Sequence, residues 1–450
     1  MQSFIGLCLL LLVGHLLRTK VRLIRKLYLP SCVVAGLIGL AVIQLCSAAG
    51  SPLPEVWTLG WKALPSMLIN VVFACLFLGV VIPKISILAR RAGPQLGYGQ
   101  IVAWGQYVVS LGLFMVLLQR FWDLPDMFGA IVPVGFEGGH GTATGLAETF
   151  TKRGWAEGGD VALTSATAGI ISAVVVGMVL INWAIRRGHL VRAQSAEQIA
   201  NAPVSIPEGQ RASAGNLTVS PDAIGSLTLH LAVVGLACGV GWLTKQGMIA
   251  LAGQIGHAKV IEVANDFPLF PLCMLGGLVV QLGEQRFDKA KLIDHGLMRR
   301  IQNMALDFLV VAAIAKIQIH SLTGYLAPFA ILVGAGILWN VFCVLVLAKR
   351  LLPDAWFERS IAEMGQSMGV TATGLLLLRV VDPRYESPAV DAFASKQLLH
   401  EPFMGGGLWT TSAVFLLASW GVWPVFWIAT GAMTTWLIVL TAFSLARRRA

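Results

Sequence analysis

Two stretches of this chain carry the residue types that could do chemistry. The first reads Gly135-Phe136-Glu137-Gly138-Gly139-His140-Gly141-Thr142-Ala143-Thr144-Gly145, and the second reads Gly365-Gln366-Ser367-Met368-Gly369-Val370-Thr371-Ala372-Thr373-Gly374. Clustered glycines let a backbone turn tightly and come close to a ligand, and a helix that restarts beyond the turn offers its positive dipole end. Such a tip suits a small carboxylate. The candidate substrate contacts are therefore Glu137, Gly138, Gly139, His140, Gly141, Thr142 and Thr144 in the first stretch, and Gly369, Thr371 and Thr373 in the second. Threonine hydroxyls and freed backbone carbonyls are also oxygen ligands for a hard cation such as Na⁺, so Thr142 and Thr371 double as candidate ion ligands. The plainer alternative is that the glycines only permit close helix packing and the threonines bond back to their own helices. Recurrence of the feature at matching places in both halves of the chain favours the functional reading.

Ionisable groups at membrane depth are costly and default to functional hypotheses. Glu137, His140, Asp307, Lys316 and Glu363 qualify. Glu137 admits three roles: a protonated acid, a cation ligand, or a partner for a substrate ammonium. Asp307 and Lys316 lie nine residues apart on one helix, about two and a half turns, so they face opposite sides and do not pair. Asp307, with the span amides Gln106 and Asn340, joins the candidate ion ligands. His15, His230 and His320 stand singly near helix ends and read as structural. The seven cysteines all lie in apolar runs, without CxxC or zinc-ligand spacing. No carboxylate-histidine-nucleophile set, P-loop or metal motif is present, so an ATP-driven pump finds no support and the reading is not an enzyme.

The elements that must hold these tips are membrane helices. Over 450 residues, 56% are hydrophobic and only 12% charged, with a mean hydropathy of +0.75, whereas charged residues make up about a quarter of an ordinary soluble domain. A span needs about 20 apolar residues, and eleven candidates are found: 2–17, 28–47, 64–82, 98–118, 161–185, 223–244, 267–283, 303–319, 326–348, 402–421 and 424–445. Residues 127–150 and 360–378 begin apolar but break at Gly/Thr-rich centres, which no lipid-facing helix tolerates, so both are expected to be re-entrant hairpins.

Threading these segments puts 26 of the 33 Lys and Arg residues in loops on one side and 6 on the other, with Lys316 inside a span. The positive-inside rule then sets the N-terminus outside and the C-terminus in the cytoplasm. The net charge of +10 is topological, and nucleic-acid binding loses its motive. Residues 188–222, rich in Pro, Ser and Ala, read as a cytoplasmic linker between a first transmembrane unit (1–187) and a second (223–421), with an extra span and basic tail at 422–450.

The two units share short words. Pro30-Ser-Cys32-Val-Val-Ala-Gly36-Leu37 recurs as Pro271-Leu-Cys273-Met-Leu-Gly-Gly277-Leu278, Gln106 has a polar counterpart in Asn340, and Thr142 to Leu146 recurs as Thr371 to Leu375. Because the matched segments run in opposite directions, the expected fold is an all-α polytopic membrane protein made of two inverted-topology repeats. Each has five spans and one re-entrant hairpin, and an extra C-terminal span follows. That is secondary-transporter architecture.

At this point the residues resemble the bacterial sodium/glutamate symporter family. Gly138-Gly139-His140-Gly141-Thr142 at the first hairpin is the strongest element, joined by Leu29 to Gly36, by Asn303 to Lys316 and, more loosely, by Gly365 to Thr373. The resemblance implies Na⁺-coupled symport of an acidic amino acid, no other cofactor, and a homodimer with elevator-type alternating access in the cell inner membrane. It also implies substrate and Na⁺ sites at Gly138 to Thr142 and Gly369 to Thr373. The chain departs from the family pattern in its acidic Glu137, in the apolar run Leu375 to Leu378 and in the eleventh span. A proton-coupled carrier or exporter of an organic anion, and a membrane-embedded enzyme using His140 and Glu137, are the competing readings.

Overall fold

The computed structural model describes residues 1–22, 24, 29–61, 63–82, 85–190, 213–220, 222–288, 290–318, 323–382 and 387–449. Most of the expected linker, His320 and part of the basic tally (Arg25, Lys26, Lys62, Lys84, Arg192, Arg211, Lys289 and Arg384) lie outside the described residues. Among the described residues every regular element is helical.

In the first half run α1 (Gln2–Lys20), α2 (Ser31–Ala48), α3 (Leu64–Ala74), α4 (Ile85–Leu113), α5 (Ile131–Phe136), α6 (Gly139–Lys152) and α7 (Gly158–Arg187). The second half holds α8 (Ser226–Ile255), α9 (Ala258–Asp266), α10 (Phe270–Phe287), α11 (His295–Ala315), α12 (Leu326–Phe342), α13 (Trp356–Val381), α14 (Ala389–His400), α15 (Leu408–Trp420) and α16 (Val422–Arg449). Punctuation follows local chemistry. Pro30 precedes α2, and prolines occupy the first turns of α3 and α10, where a missing N–H costs nothing. Left-handed Gly188 and Gly256 close α7 and α8. Both α4 and α12 continue into a π turn, Phe114–Leu118 and Cys343–Ala348, and then a last short α turn.

Among the described residues, eight helices are long and apolar enough to cross a membrane, nine if the pair bent by 73° over 260–287 counts as one span. Seven of the eleven expected spans are among the eight, and the bent pair covers 267–283. The other three are corrected. The helix expected over 64–82 stops at Ala74, after 11 residues. The one expected over 303–319 is α11, whose length includes Arg299, Arg300 and Asp307. The one expected over 402–421 is the 13-residue α15, preceded by a Gly405-Gly406-Gly407 turn. The eighth is α13, which lies where a hairpin was expected and whose 26 residues are interrupted by non-helical backbone at Gly369 and Val370.

The helices sort into two layers. α1, α2, α3, α8, α10 and α11 pack on one another, while α4 to α7 and α12 to α16 form a second body, met by α3 and α11 at α6. The repeated words do reciprocal work in the first layer. Gly36 of α2 lies against Ile314 of α11, a β-carbon there meeting Ile314 Cβ at 2.7 Å, and Gly277 of α10 lies against the Ala74 carbonyl of α3. Small residues are what allow backbones to approach this closely.

In the second layer, two segments fold back on themselves. Phe128 and Phe150, at opposite ends of the α5–α6 unit, both touch the Trp155 ring, with centroids 5.9 and 5.4 Å away. Within α13 the backbone leaves helical geometry at Gly369 (φ −156°, ψ 29°) and Val370 (φ 70°, ψ 165°). A β-carbon on Gly365 would lie 2.8 Å from the Gly374 α-carbon. A continuous helix would separate that pair by about 13 Å at 1.5 Å per residue, so the chain reverses there. α14 then lies along α4, inside the protein, where the sequence suggested a cytoplasmic loop.

Candidate functional site

α7 supplies the surface on which both reversals end. At Gly169, a β-carbon would stand 2.9 Å from the Phe136 ring of the first tip and would collide with the Met368 carbonyl of the second. Gly139, at φ 65°, abuts Val370 across the gap, so the two tips meet end to end. Val370 holds a positive φ that a β-branched residue rarely adopts.

A fully buried polar chain joins the tips to α4 and α14. Lys396 Nζ pairs with Glu363 Oε1 at 2.6 Å and donates to Gln366 Oε1 at 3.0 Å. Gln366 Nε2 donates to Glu137 Oε2 at 2.8 Å, and His400 Nε2 lies 3.3 Å from the same oxygen. Gln95 Nε2 reaches the other Glu363 oxygen at 2.9 Å. Trp104 Nε1 donates to Gln100 Oε1, which turns the Gln100 amide nitrogen toward His400 Nδ1 at 3.2 Å. Nδ1 is therefore the acceptor, and the imidazole proton sits on Nε2, facing Glu137. Glu363, Lys396 and His400 are completely buried, and buried charges persist only when paired and bonded in this way.

Among the described residues, Glu137 Oε1, Gln106 Oε1, Thr142 Oγ1 and Thr144 Oγ1 are buried with no partner at ordinary hydrogen-bond distance, while the Ser367 and Tyr107 hydroxyls have only loose contacts, with Glu137 and Thr410. Gln106 donates its amide to the Ser367 carbonyl at 2.7 Å, and Ser367 stands beside Glu137. Orphaned buried oxygens call for an ion or water, and a set of neutral oxygens with one carboxylate is donor chemistry for a hard monovalent cation. No group of three or more His, Cys, Asp or Glu side chains that could hold a metal exists among the described residues.

The candidates read from sequence divide as follows. Glu137 to Thr144 and Gly369 to Thr373 all lie at or next to the two tips. His140 Nε2 meets Thr167 Oγ1 at 3.0 Å; because that hydroxyl donates to the Leu163 carbonyl, His140 is the donor. Thr371 Oγ1 donates to Glu401 Oε2 at 3.0 Å, while Thr373 bonds back to the Gly369 carbonyl of its own segment. Gln106 reaches the second tip. Asn340 gives its amide to Gly336 of its own helix, one turn away. Asp307 is exposed on α11 beside Cys32 and Arg18, and no contact brings it to the tips. Lys316 sits at the end of α11, 3.4 Å from Thr58 Oγ1.

Sequence reading missed α14. Lys396 was tallied with the cytoplasmic basic residues, yet it is completely buried and ion-paired. Lys396, Gln397, His400 and Glu401 follow the i, i+1, i+4, i+5 spacing of one helix face. That was the available signal.

A multi-pass helical membrane protein whose polar centre is built from broken helix ends belongs to the class of secondary transporters. The model of the sodium/glutamate symporter family matches residues 1–387, and the chain belongs to that family. Among curated proteins, none matches it. The family match ends before α14, so Lys396, Gln397, His400 and Glu401 come from outside it.

Proposed function

We propose that the protein is a Na⁺-coupled symporter of an acidic amino acid or related carboxylate, exposing its two tips alternately to the two sides of the membrane. The observation that carries this is the tip-to-tip meeting of two reversing helices on Gly169, lined by buried oxygens without partners. Na⁺ takes the oxygens of Glu137, Gln106 and Ser367, with Thr142 and Thr371 nearby, and its charge lowers the cost of bringing an anion to the tips. The Na⁺ gradient and membrane potential drive accumulation, each elementary charge contributing about 2.3 kcal/mol per 100 mV.

Both reversals are read as re-entrant hairpins entering from opposite sides, within two inverted repeats. The paired π turns of α4 and α12 and the reciprocal packing of Gly36 and Gly277 support that reading. The layer of α1 to α3 with α8, α10 and α11 acts as the scaffold against which the second body slides. We place the protein in the bacterial inner membrane, N-terminus outside and C-terminus inside, as a homodimer. The basic-residue asymmetry supports the orientation even with Lys396 removed from the count.

Uptake of radiolabelled glutamate into proteoliposomes, with and without a Na⁺ gradient, tests the reading; absence of accumulation under every gradient overturns it. A second reading, a proton in place of Na⁺, is favoured by the buried Glu137–His400 contact. Uptake driven by a pH gradient in Na⁺-free buffer selects it.

A further inference from the structure

The charges at the tips do not balance within the protein. Three carboxylates, Glu137, Glu363 and Glu401, gather around the α13–α14 contact with one cation, Lys396, and one neutral imidazole, His400. Lys396 pairs with Glu363, and His400 faces Glu137. Among the described residues Glu401 has no ion pair within 4 Å. Its Oε2 accepts from Thr371 Oγ1 at 3.0 Å and from Gln397 Nε2 at 2.9 Å, which fixes the carboxylate at the second tip. A carboxylate can accept about four hydrogen bonds, so the side that Thr371 and Gln397 leave open can take more.

Glu401 also sits where a ligand can reach it. Unlike Glu137 and Glu363 it is only half-buried, as is Thr371. The next turn is Gly405-Gly406-Gly407. A β-carbon on Gly405 would be 3.2 Å from Glu401 Cγ, so the glycine keeps a side chain of its own away from Glu401. Gly406, at φ 88°, packs directly on the Thr142 hydroxyl of the first tip, and that hydroxyl is fully buried without a partner. The turn therefore holds Glu401 on one side and Thr142 on the other.

We infer that Glu401, positioned by Thr371 and Gln397, is the receptor for the ammonium group of an amino-acid substrate whose carboxylate lies toward Thr142 and the first tip. The inference rests on the symport reading above and deepens it: the helix break at 401–407, outside the family match, makes this carrier select amino acids over dicarboxylates of equal length. The substrate's ammonium gives Glu401 a cationic partner, and a hydrogen bond to a charged group contributes about 1.5 to 3 kcal/mol, or roughly ten- to a hundredfold in affinity.

The test compares glutamate with glutarate, which lacks the amine, at fixed saturating Na⁺. Uptake by proteoliposomes and thermal shift of the purified protein are both read. The wild type should prefer glutamate. Glu401→Gln should reduce that preference about tenfold or more, by weakening glutamate while glutarate holds or improves, and Glu401→Asp should keep most of it. Equal losses for both ligands, or a changed Na⁺ requirement with the preference intact, overturn the assignment. If the wild type accumulates neither ligand, the symport reading fails; the thermal-shift preference and its response to Glu401→Gln still decide the receptor.

Discussion

Gln366 donates a hydrogen bond of 2.8 Å to Glu137 across 229 residues of sequence. The same spacing separates Thr142 from Thr371, and Phe114 from Cys343, where the two π turns begin. Glu137 and Gln366 thus hold equivalent places in the two reversing segments and bond to each other. An axis of twofold pseudo-symmetry through the tips predicts such a bond, because only positions on the axis meet their own counterparts. Under the proposed inverted repeat the two matched positions differ, one acidic and the other an amide, and that difference makes the pair bonded where two carboxylates would repel.

The Lys396–Glu363 pair ties α14 to the first arm of α13. Removing one member leaves an uncompensated buried charge, whereas replacing both with apolar residues removes the desolvation cost as well. Lys396→Met alone should destabilise the protein by about 3 to 5 kcal/mol. Lys396→Met combined with Glu363→Leu should recover most of that in detergent unfolding. A double variant no more stable than the single one contradicts the account.

Gly169 is where both tips rest, and its missing side chain is a steric necessity, since a β-carbon would meet the Met368 carbonyl. Backbone cannot swing aside as a flexible side chain can. Gly169→Ala should cost about 1 to 3 kcal/mol through overpacking and should depress uptake by separating the tips. Gly235, in α8, has nothing within 4 Å of its would-be β-carbon. Gly235→Ala should leave uptake unchanged, and the ratio of the two initial rates measures the difference.

Much of this was legible in the residues. Polar breaks in apolar runs cannot face lipid, so Gly138-Gly139 and Gly369 announced the reversals. Recurrence of Thr-Ala-Thr-Gly-Leu linked them. Lys396 and Glu401 were not legible by the same logic, because hydropathy places a Lys, a His and a Glu within a few residues in a loop. Only tertiary partners such as Glu363, Gln100 and Thr371 make their burial affordable. Asp307 shows the converse: a charge within an apolar stretch need not face the protein interior, and here it is exposed.

Asp294 caps α11 by accepting from the Leu297 N–H at 2.9 Å, and Asn216, near the end of the expected linker, donates to its other oxygen at 3.0 Å. Partial burial raises its pKa, but the Leu297 and Asn216 bonds outweigh that, and the net shift is downward. A carboxyl whose folded pKa lies below its unfolded value, about 3.9, contributes stability that is fully present above that value. The contribution is lost as pH falls through the lowered folded pKa. Asp294→Ala should therefore cost about 1 kcal/mol from pH 5 to 8, and the gap from wild type should close only in more acidic buffer. A gap that closes near pH 7 in melting curves of the purified protein points to another group.

Ser367 offers the sharpest test of the Na⁺ site, because its hydroxyl is buried with only a loose contact to Glu137. If the hydroxyl serves folding alone, removing it should change stability by no more than about 1 kcal/mol, the net contribution of an ordinary hydrogen bond. If it is an ion ligand, the same change must weaken Na⁺ binding. Ser367→Ala should therefore leave the melting temperature in Na⁺-free buffer little changed. It should also raise the Na⁺ concentration for half-maximal uptake about tenfold, the equivalent of ~1.4 kcal/mol. Unaltered Na⁺ activation in this variant would remove Ser367 from the ion site and shift the search to the unpartnered oxygens of Thr142 and Thr144.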